Sequence, residues 1–206
     1  MSRIGPQETA SPHWLDEPRN VAMLILLQGA VFSGLGLAIW YGSGREPMAF
    51  VEWEADDFSV AALTGGALIG SMLAIARAFP GFVGWAAGQQ RFLFAHGRRY
   101  RPLHILLLSI AAGVGEEALF RGGLQTIAAD HLPAWAAILV VSLLFTGVHL
   151  GSRGLSAFIF AYSAIFGIVY HSTGSLMGVM LAHTAFDIWA IAVIQRELVR
   201  QGVVED

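Results

Sequence analysis

Three groups of ionisable side chains in the apolar second half of the chain could carry acid–base chemistry. Glu116 and Glu117 are adjacent, His149 follows them, and His183 precedes Asp187 by four positions. A carboxylate and a histidine together can bind and deprotonate a water molecule, and a second histidine can donate to an oxyanion as it forms. The same residue types also bind zinc. The residue types do not choose between a hydrolytic site and a metal site.

Helical spacing separates the two glutamates. Glu117 and Arg121 are four residues apart, in the favourable order of acid before base, so we expect them to form an ion pair. Glu116 is rotated by about 100° around the helix and is left free for proton transfer. Charged residues in apolar spans mark functional sites, but ion pairs also hold bundles together. A purely structural charge cluster is therefore the alternative interpretation.

The composition indicates what kind of protein positions these groups. Of 206 residues, 55% are apolar and only 13% are charged, and the mean hydropathy is +0.60. These values lie outside the range of soluble domains and predict an all-α, polytopic transmembrane bundle of about six spans of roughly 20 residues each. The chain has no cysteine, which excludes disulfides, thiolate ligands and a cysteine nucleophile. Its formal charge of −3 predicts no nucleic-acid partner.

Hydropathy divides the chain into a mobile tail at 1–20, a transmembrane bundle at 21–194 and a C-terminal tail at 195–206. Segment 81–102 is expected to be an interfacial amphipathic helix, with a seventh span as the alternative. Its arginines predict that both termini are cytoplasmic. The six predicted spans are 21–40, 58–79, 102–130, 133–150, 155–171 and 175–194.

The third and fourth spans form a helical hairpin that turns near Leu132. Glu116 lies 16 residues before this turn and His149 lies 17 residues after it, so both should lie at the same depth. His183 and Asp187 share one face of the sixth span, one turn apart. The sequence therefore predicts one polar cluster inside the bundle.

Residues 102–195, which are the last four predicted helices, resemble a known catalytic core. Three motifs lie in this region: Glu116-Glu117-x-x-x-Arg121, Phe145-x-x-x-His149 and His183-x-x-x-Asp187. Their order and spacing resemble those of the CPBP family (CAAX protease and bacteriocin-processing, or Abi), which is similar to type II CAAX prenyl proteases. The resemblance implies that Glu116 and His149 activate water, and that His183 and the residue at 187 stabilise an oxyanion. Glu117 and Arg121 would support the site, and Phe145 would contribute packing.

One position departs from the family pattern as the prenyl proteases show it. They favour asparagine at the last motif position, where this chain has Asp187. An ionised aspartate cannot donate a hydrogen bond to an oxyanion. Asp187 is therefore either protonated, or orients His183, or coordinates a metal.

The sequence favours an intramembrane endopeptidase of the bacterial inner membrane that acts on a membrane-anchored protein or peptide. If a metal is present, Zn²⁺ or another divalent ion would be bound by the same four residues, Glu116, His149, His183 and Asp187. The sequence has no HExxH, GxGD or GxSG motif of other intramembrane proteases. The alternative is a non-catalytic immunity or scaffold protein, or a proton-linked transporter, although the inverted repeats typical of transporters are missing.

Overall fold

Apolar helices make up most of the described structure. The computed structural model describes residues 17–149 and 151–205, and most of the predicted tail at 1–20 therefore lies outside the described residues. Five helices, α1, α2, α4, α6 and α7, are long and apolar enough to cross a membrane, which confirms the polytopic helical bundle. The helices in the described ranges are α1 Pro18–Gly42, α2 Asp57–Ala78, α3 Phe82–Gln89, α4 Pro102–Ala129, α5 Ala134–Val148, α6 Arg153–Thr173 and α7 Leu176–Arg200.

Proline and glycine mark several helix boundaries. Pro102 begins α4 and Pro133 directly precedes α5, as predicted, because proline suits the start of a helix. Gly174, with φ of 72°, ends α6 in the left-handed conformation that glycine adopts without strain.

Two helices extend beyond their predicted ends. The first begins at Pro18 rather than at residue 21, and α7 runs to Arg200 rather than to residue 194. The added turn of α7 buries Leu198, which packs into one cluster with Ala22 and with Val204 beyond the helix end. Residues 195–205 thus belong to the packed bundle, where the sequence predicted a tail.

Two segments are shorter than a full crossing. At 15 residues, α5 rises about 22 Å, against a hydrocarbon thickness of roughly 30 Å. Segment 81–102 contains the eight-residue α3 and a 3₁₀ turn, Arg91–Phe94. This helix is too short for the seventh span considered above.

Glycines allow α1 to pack closely against α4. A Cβ atom added at Gly115 would lie 2.6 Å from the Cα of Gly29, and one added at Gly123 would lie 3.1 Å from the Cα of Gly36. The residue numbers of the paired positions increase together along both helices, so α1 and α4 run parallel. On another side of α4, an added Cβ at Gly113 would collide with the backbone of α7. This close packing, which small residues allow, places α4 at the centre of the bundle.

The middle of α4 departs from α-helical geometry. Ala118–Gln125 form a π-helix that begins directly after the two glutamates, where the sequence predicted an unbroken α-helix. At this segment, Thr126 Oγ1 donates a hydrogen bond to the Arg121 carbonyl at 2.8 Å. The Gln125 side chain donates to the Gly167 carbonyl of α6 at 2.8 Å. Short π segments occur often at functional sites. Here the π segment anchors the glutamate-bearing turn to α6.

Candidate active site

The Glu116 carboxylate lies between two imidazoles from other elements. His149 Nε2 is 3.5 Å from Glu116 Oε1, and His183 Nε2 is 3.9 Å from Glu116 Oε2. The predicted facing of Glu116 and His149 across the α4–α5 hairpin is therefore present. Both separations exceed a normal direct hydrogen bond, and a water molecule can bridge polar groups at such distances.

Contacts with Phe145 fix the orientation of the His149 ring. It caps the end of α5, its Nδ1 lies 2.8 Å from the Phe145 carbonyl oxygen, and its ring stacks on Phe145 at 4.4 Å between centroids. A carbonyl only accepts hydrogen bonds, so Nδ1 carries the proton of the neutral ring. The lone pair of neutral His149 is then on Nε2, which faces Glu116. Phe145, which the sequence assigned to packing, thus also orients the histidine.

His183 is held by the second glutamate. Its Nδ1 lies 2.9 Å from Glu117 Oε1, and its ring stacks against Phe166 at 5.1 Å. Its Nε2 points toward Glu116 and lies 3.7 Å from Asp187 Oδ2. The sequence did not predict the bond between Glu117 and His183, which gives this glutamate two partners.

The predicted ion pair of Glu117 and Arg121 is confirmed. Arg121 Nε lies 3.2 Å from Glu117 Oε2, and both side chains are almost completely buried. The angle is poor for a hydrogen bond, so the contact is mainly one of charge. Arg121 also donates to the Ser163 carbonyl at 2.8 Å and to its hydroxyl at 3.1 Å, and lies over the Phe145 ring at 5.4 Å. These contacts connect α4, α5 and α6 beneath the site.

Ser163 was missed by the sequence analysis, although one signal pointed to it. It is a small polar residue in the apolar α6, and it is completely enclosed in the bundle. A buried hydroxyl requires a partner. The sequence alone could not show that this partner is Arg121.

A cavity of about 890 Å³ opens from the polar cluster. Beyond the cluster its walls are largely apolar, and they continue along α7 as far as Ile194 and along α1 as far as Val21. From His183 to Ile194 the helix rises about 16 Å. The far end lies beside Tyr100 and the arginine-containing segment 91–101. The predicted site residues Glu116, His149, His183 and Asp187 all line this cavity.

The polar cluster has the donor types of a zinc site but not a matching arrangement. Glu116, Asp187 and two imidazoles could each bind a divalent metal. In the described part of the chain, however, no three or more histidine, aspartate or glutamate side chains converge as a metal site requires. The four side chains therefore do not match a metal site in their observed arrangement, and no chemical step is derived through a metal.

Known proteins match the region that carries this cluster. Residues 99–189 match the family model of type II CAAX prenyl endopeptidase Rce1-like proteins. The chain is also 33% identical over 132 residues to a protein of Bacillus subtilis (strain 168) described as "Uncharacterized protein YpbD", a stretch that covers 63% of this chain and 64% of that relative. No solved structure matches the chain.

Proposed function

We propose that the chain is an intramembrane endopeptidase of the type II CAAX prenyl endopeptidase Rce1-like family, because residues 99–189 match the model of that family and carry the three motifs. It hydrolyses a peptide bond in a membrane-associated protein or peptide. The observation that carries this proposal is the buried Glu116 carboxylate, placed between His149 and His183 at one end of a large apolar cavity.

Glu116 and His149 together activate the water molecule. A water between them donates one hydrogen to the carboxylate and one to His149 Nε2, which leaves an oxygen lone pair free to attack the substrate carbonyl carbon. As the new C–O bond forms, the proton passes to Glu116 and the carbonyl oxygen becomes an oxyanion. When the C–N bond breaks, the leaving amine takes this proton.

His183 stabilises the oxyanion. Its Nδ1–H is bound by Glu117, so Nε2 can donate only when the ring is an imidazolium. Three carboxylates surround the ring and favour that cation: Glu116, Glu117 and Asp187. A charged donor aimed at a developing oxyanion in a low-dielectric site gives large stabilisation.

Asp187 acts through His183 in this proposal. It lies 3.7 Å from His183 Nε2 and is partly exposed to the cavity, and in its ionised form it orients the imidazolium. An asparagine could not supply this charge. Of the three roles open to Asp187 from the sequence, the distance favours orientation of the histidine.

The proposed reaction is tested by cleavage of membrane-anchored reporter peptides with purified enzyme in detergent. Glu116→Gln and His149→Gln should each lower kcat by about 10²–10⁴-fold, the usual contribution of a general base. Glu52→Gln is the matched control, because Glu52 is exposed in the loop before α2 and far from the cluster in sequence. If the two site variants fold and cleave as fast as the control, the proposed mechanism is wrong.

Five long apolar helices and the match of residues 99–189 to the Rce1-like family model support an integral membrane protein. We propose that it lies in a bacterial inner membrane with its arginine-rich segment 91–101 and both termini in the cytoplasm, in keeping with the positive-inside rule. The chain has no cysteine, so single cysteines can report this orientation. Arg99→Cys should be labelled by an impermeant maleimide only from the cytoplasmic side, and Glu46→Cys only from the opposite side. The reverse pattern would contradict this orientation.

A further inference from the structure

Gln28 of α1 is a polar side chain that the proposed chemistry does not use. It lines the apolar cavity and is exposed to it. No described residue forms a hydrogen bond with its amide. A polar side chain in a transmembrane segment is costly unless its hydrogen-bonding groups have partners. The Gln28 amide is therefore available to form hydrogen bonds with a ligand in the cavity.

The packing of α1 against α4 determines the depth of Gln28. The next residue, Gly29, packs so closely against α4 that an added Cβ would lie 2.5 Å from the Ala111 carbonyl oxygen. Gly115 of α4 also packs against Gly29. Ala112 and Glu116 both line the cavity on this part of α4. They are one turn apart, a rise of about 6 Å. Gln28 thus lies about one helical turn from the level of the attacking water.

This position suits the backbone of an extended substrate. An extended chain advances about 3.3 Å per residue, so a peptide whose scissile bond lies at Glu116 passes Gln28 about two residues away. Its N–H and C=O groups lose water among the neighbouring apolar side chains, which include Leu24 and Phe32 of α1. The glutamine amide supplies both a donor and an acceptor, whereas a lipid chain offers neither group to pair with it.

We propose that Gln28 binds the main chain of the substrate about two residues from the scissile bond, so that the enzyme takes its substrate as an extended peptide. This inference rests on the proposed endopeptidase function. It assigns a substrate-binding role to α1, which lies outside the matched residues 99–189.

The test pairs an enzyme variant with substrate backbone changes. Gln28→Met keeps the length and flexibility of the side chain but removes both hydrogen-bonding groups. Each peptide bond within four residues of the cleavage site is replaced in turn by an ester, which removes one N–H donor. For wild type, we expect one ester, about two residues from the scissile bond, to raise KM by about 5–10-fold with kcat unchanged, the usual effect of one hydrogen bond.

Gln28→Met should raise KM for the unmodified peptide by a similar factor and be insensitive to that ester. Gln90→Met is the matched control, because Gln90 lines the same cavity in the segment after α3; it should keep the wild-type sensitivity at that position. If Gln28→Met cleaves all peptides with wild-type KM, or if it responds to every ester as wild type does, the inference is wrong while the endopeptidase proposal stands. Failure of wild type to cleave any peptide would instead contradict the endopeptidase proposal itself.

Discussion

Replacing each adjacent glutamate by glutamine should separate activity from stability. Glu117 is fully buried, 3.2 Å from Arg121 and 2.9 Å from His183. Glu117→Gln would leave the buried guanidinium without its anionic partner. Breaking a buried pair in this way costs about 3–5 kcal/mol in the free energy of unfolding. For a chain of this size, each kcal/mol lowers Tm by about 2–4 °C, so the expected loss is about 6–20 °C.

Glu116→Gln should have the opposite pattern. Its nearest partners lie at 3.5 and 3.9 Å, and its carboxylate borders the cavity, so no short hydrogen bond is lost. We expect the free energy of unfolding to change by less than about 1 kcal/mol. In contrast, kcat should fall by about 10²–10⁴-fold because the proton acceptor is gone.

Thermal unfolding in detergent, followed by the fluorescence of the six tryptophans, measures stability, and reporter cleavage measures activity. As a control, Glu117→Gln combined with Arg121→Met should recover part of the lost stability, since no unpaired charge remains. Glu117→Gln with the Tm of wild type would refute this prediction, as would a loss of stability in Glu116→Gln as large as that in Glu117→Gln.

Three further predictions test the packing, the pH response and the metal. Gly115→Ala should cost about 1–3 kcal/mol because its new methyl group would meet the backbone of α1, whereas Gly34→Ala, which meets nothing, should not destabilise α1; equal Tm values for the two variants would contradict the packing. Burial and the nearby Arg98 lower the pKa of His96 below 6.5, so the neutral ring is favoured in the folded state. Stability should therefore fall as pH drops below about 6.5, and unfolding scans should show a weaker pH dependence in His96→Gln. Cleavage should persist after chelation in protein shown by elemental analysis to be metal-free; loss of activity that zinc restores would instead require a metal-dependent reaction.

The parts of the site that were predictable follow from regular helix geometry within one helix or one hairpin. The spacing of Glu117 and Arg121 determines their contact, because residues four apart share a face. Equal distances from the α4–α5 turn place Glu116 and His149 at one depth, because both arms have the same rise per residue.

The parts that were not predictable depend on how separate helices rotate and pack. The bond from Glu117 to His183 and the bonds from Arg121 to Ser163 join positions 66 and 42 residues apart, and no local pattern sets those rotations. The π segment at Ala118–Gln125 is a further example, since its Gln125 bonds to Gly167, which lies 42 residues away in α6. The sequence also suggested a metal site from residue types, although such a site depends on convergence that spacing alone does not determine.

The most direct test of the central claim is mass spectrometry of a single-turnover reaction in H₂¹⁸O, with wild type and Glu116→Gln acting on the same membrane-anchored peptide. If water activated by Glu116 cleaves the peptide bond, wild type will place one ¹⁸O in the new carboxyl terminus, and the variant will form almost no product in the same time. Cleavage by Glu116→Gln at the wild-type rate would contradict the claim.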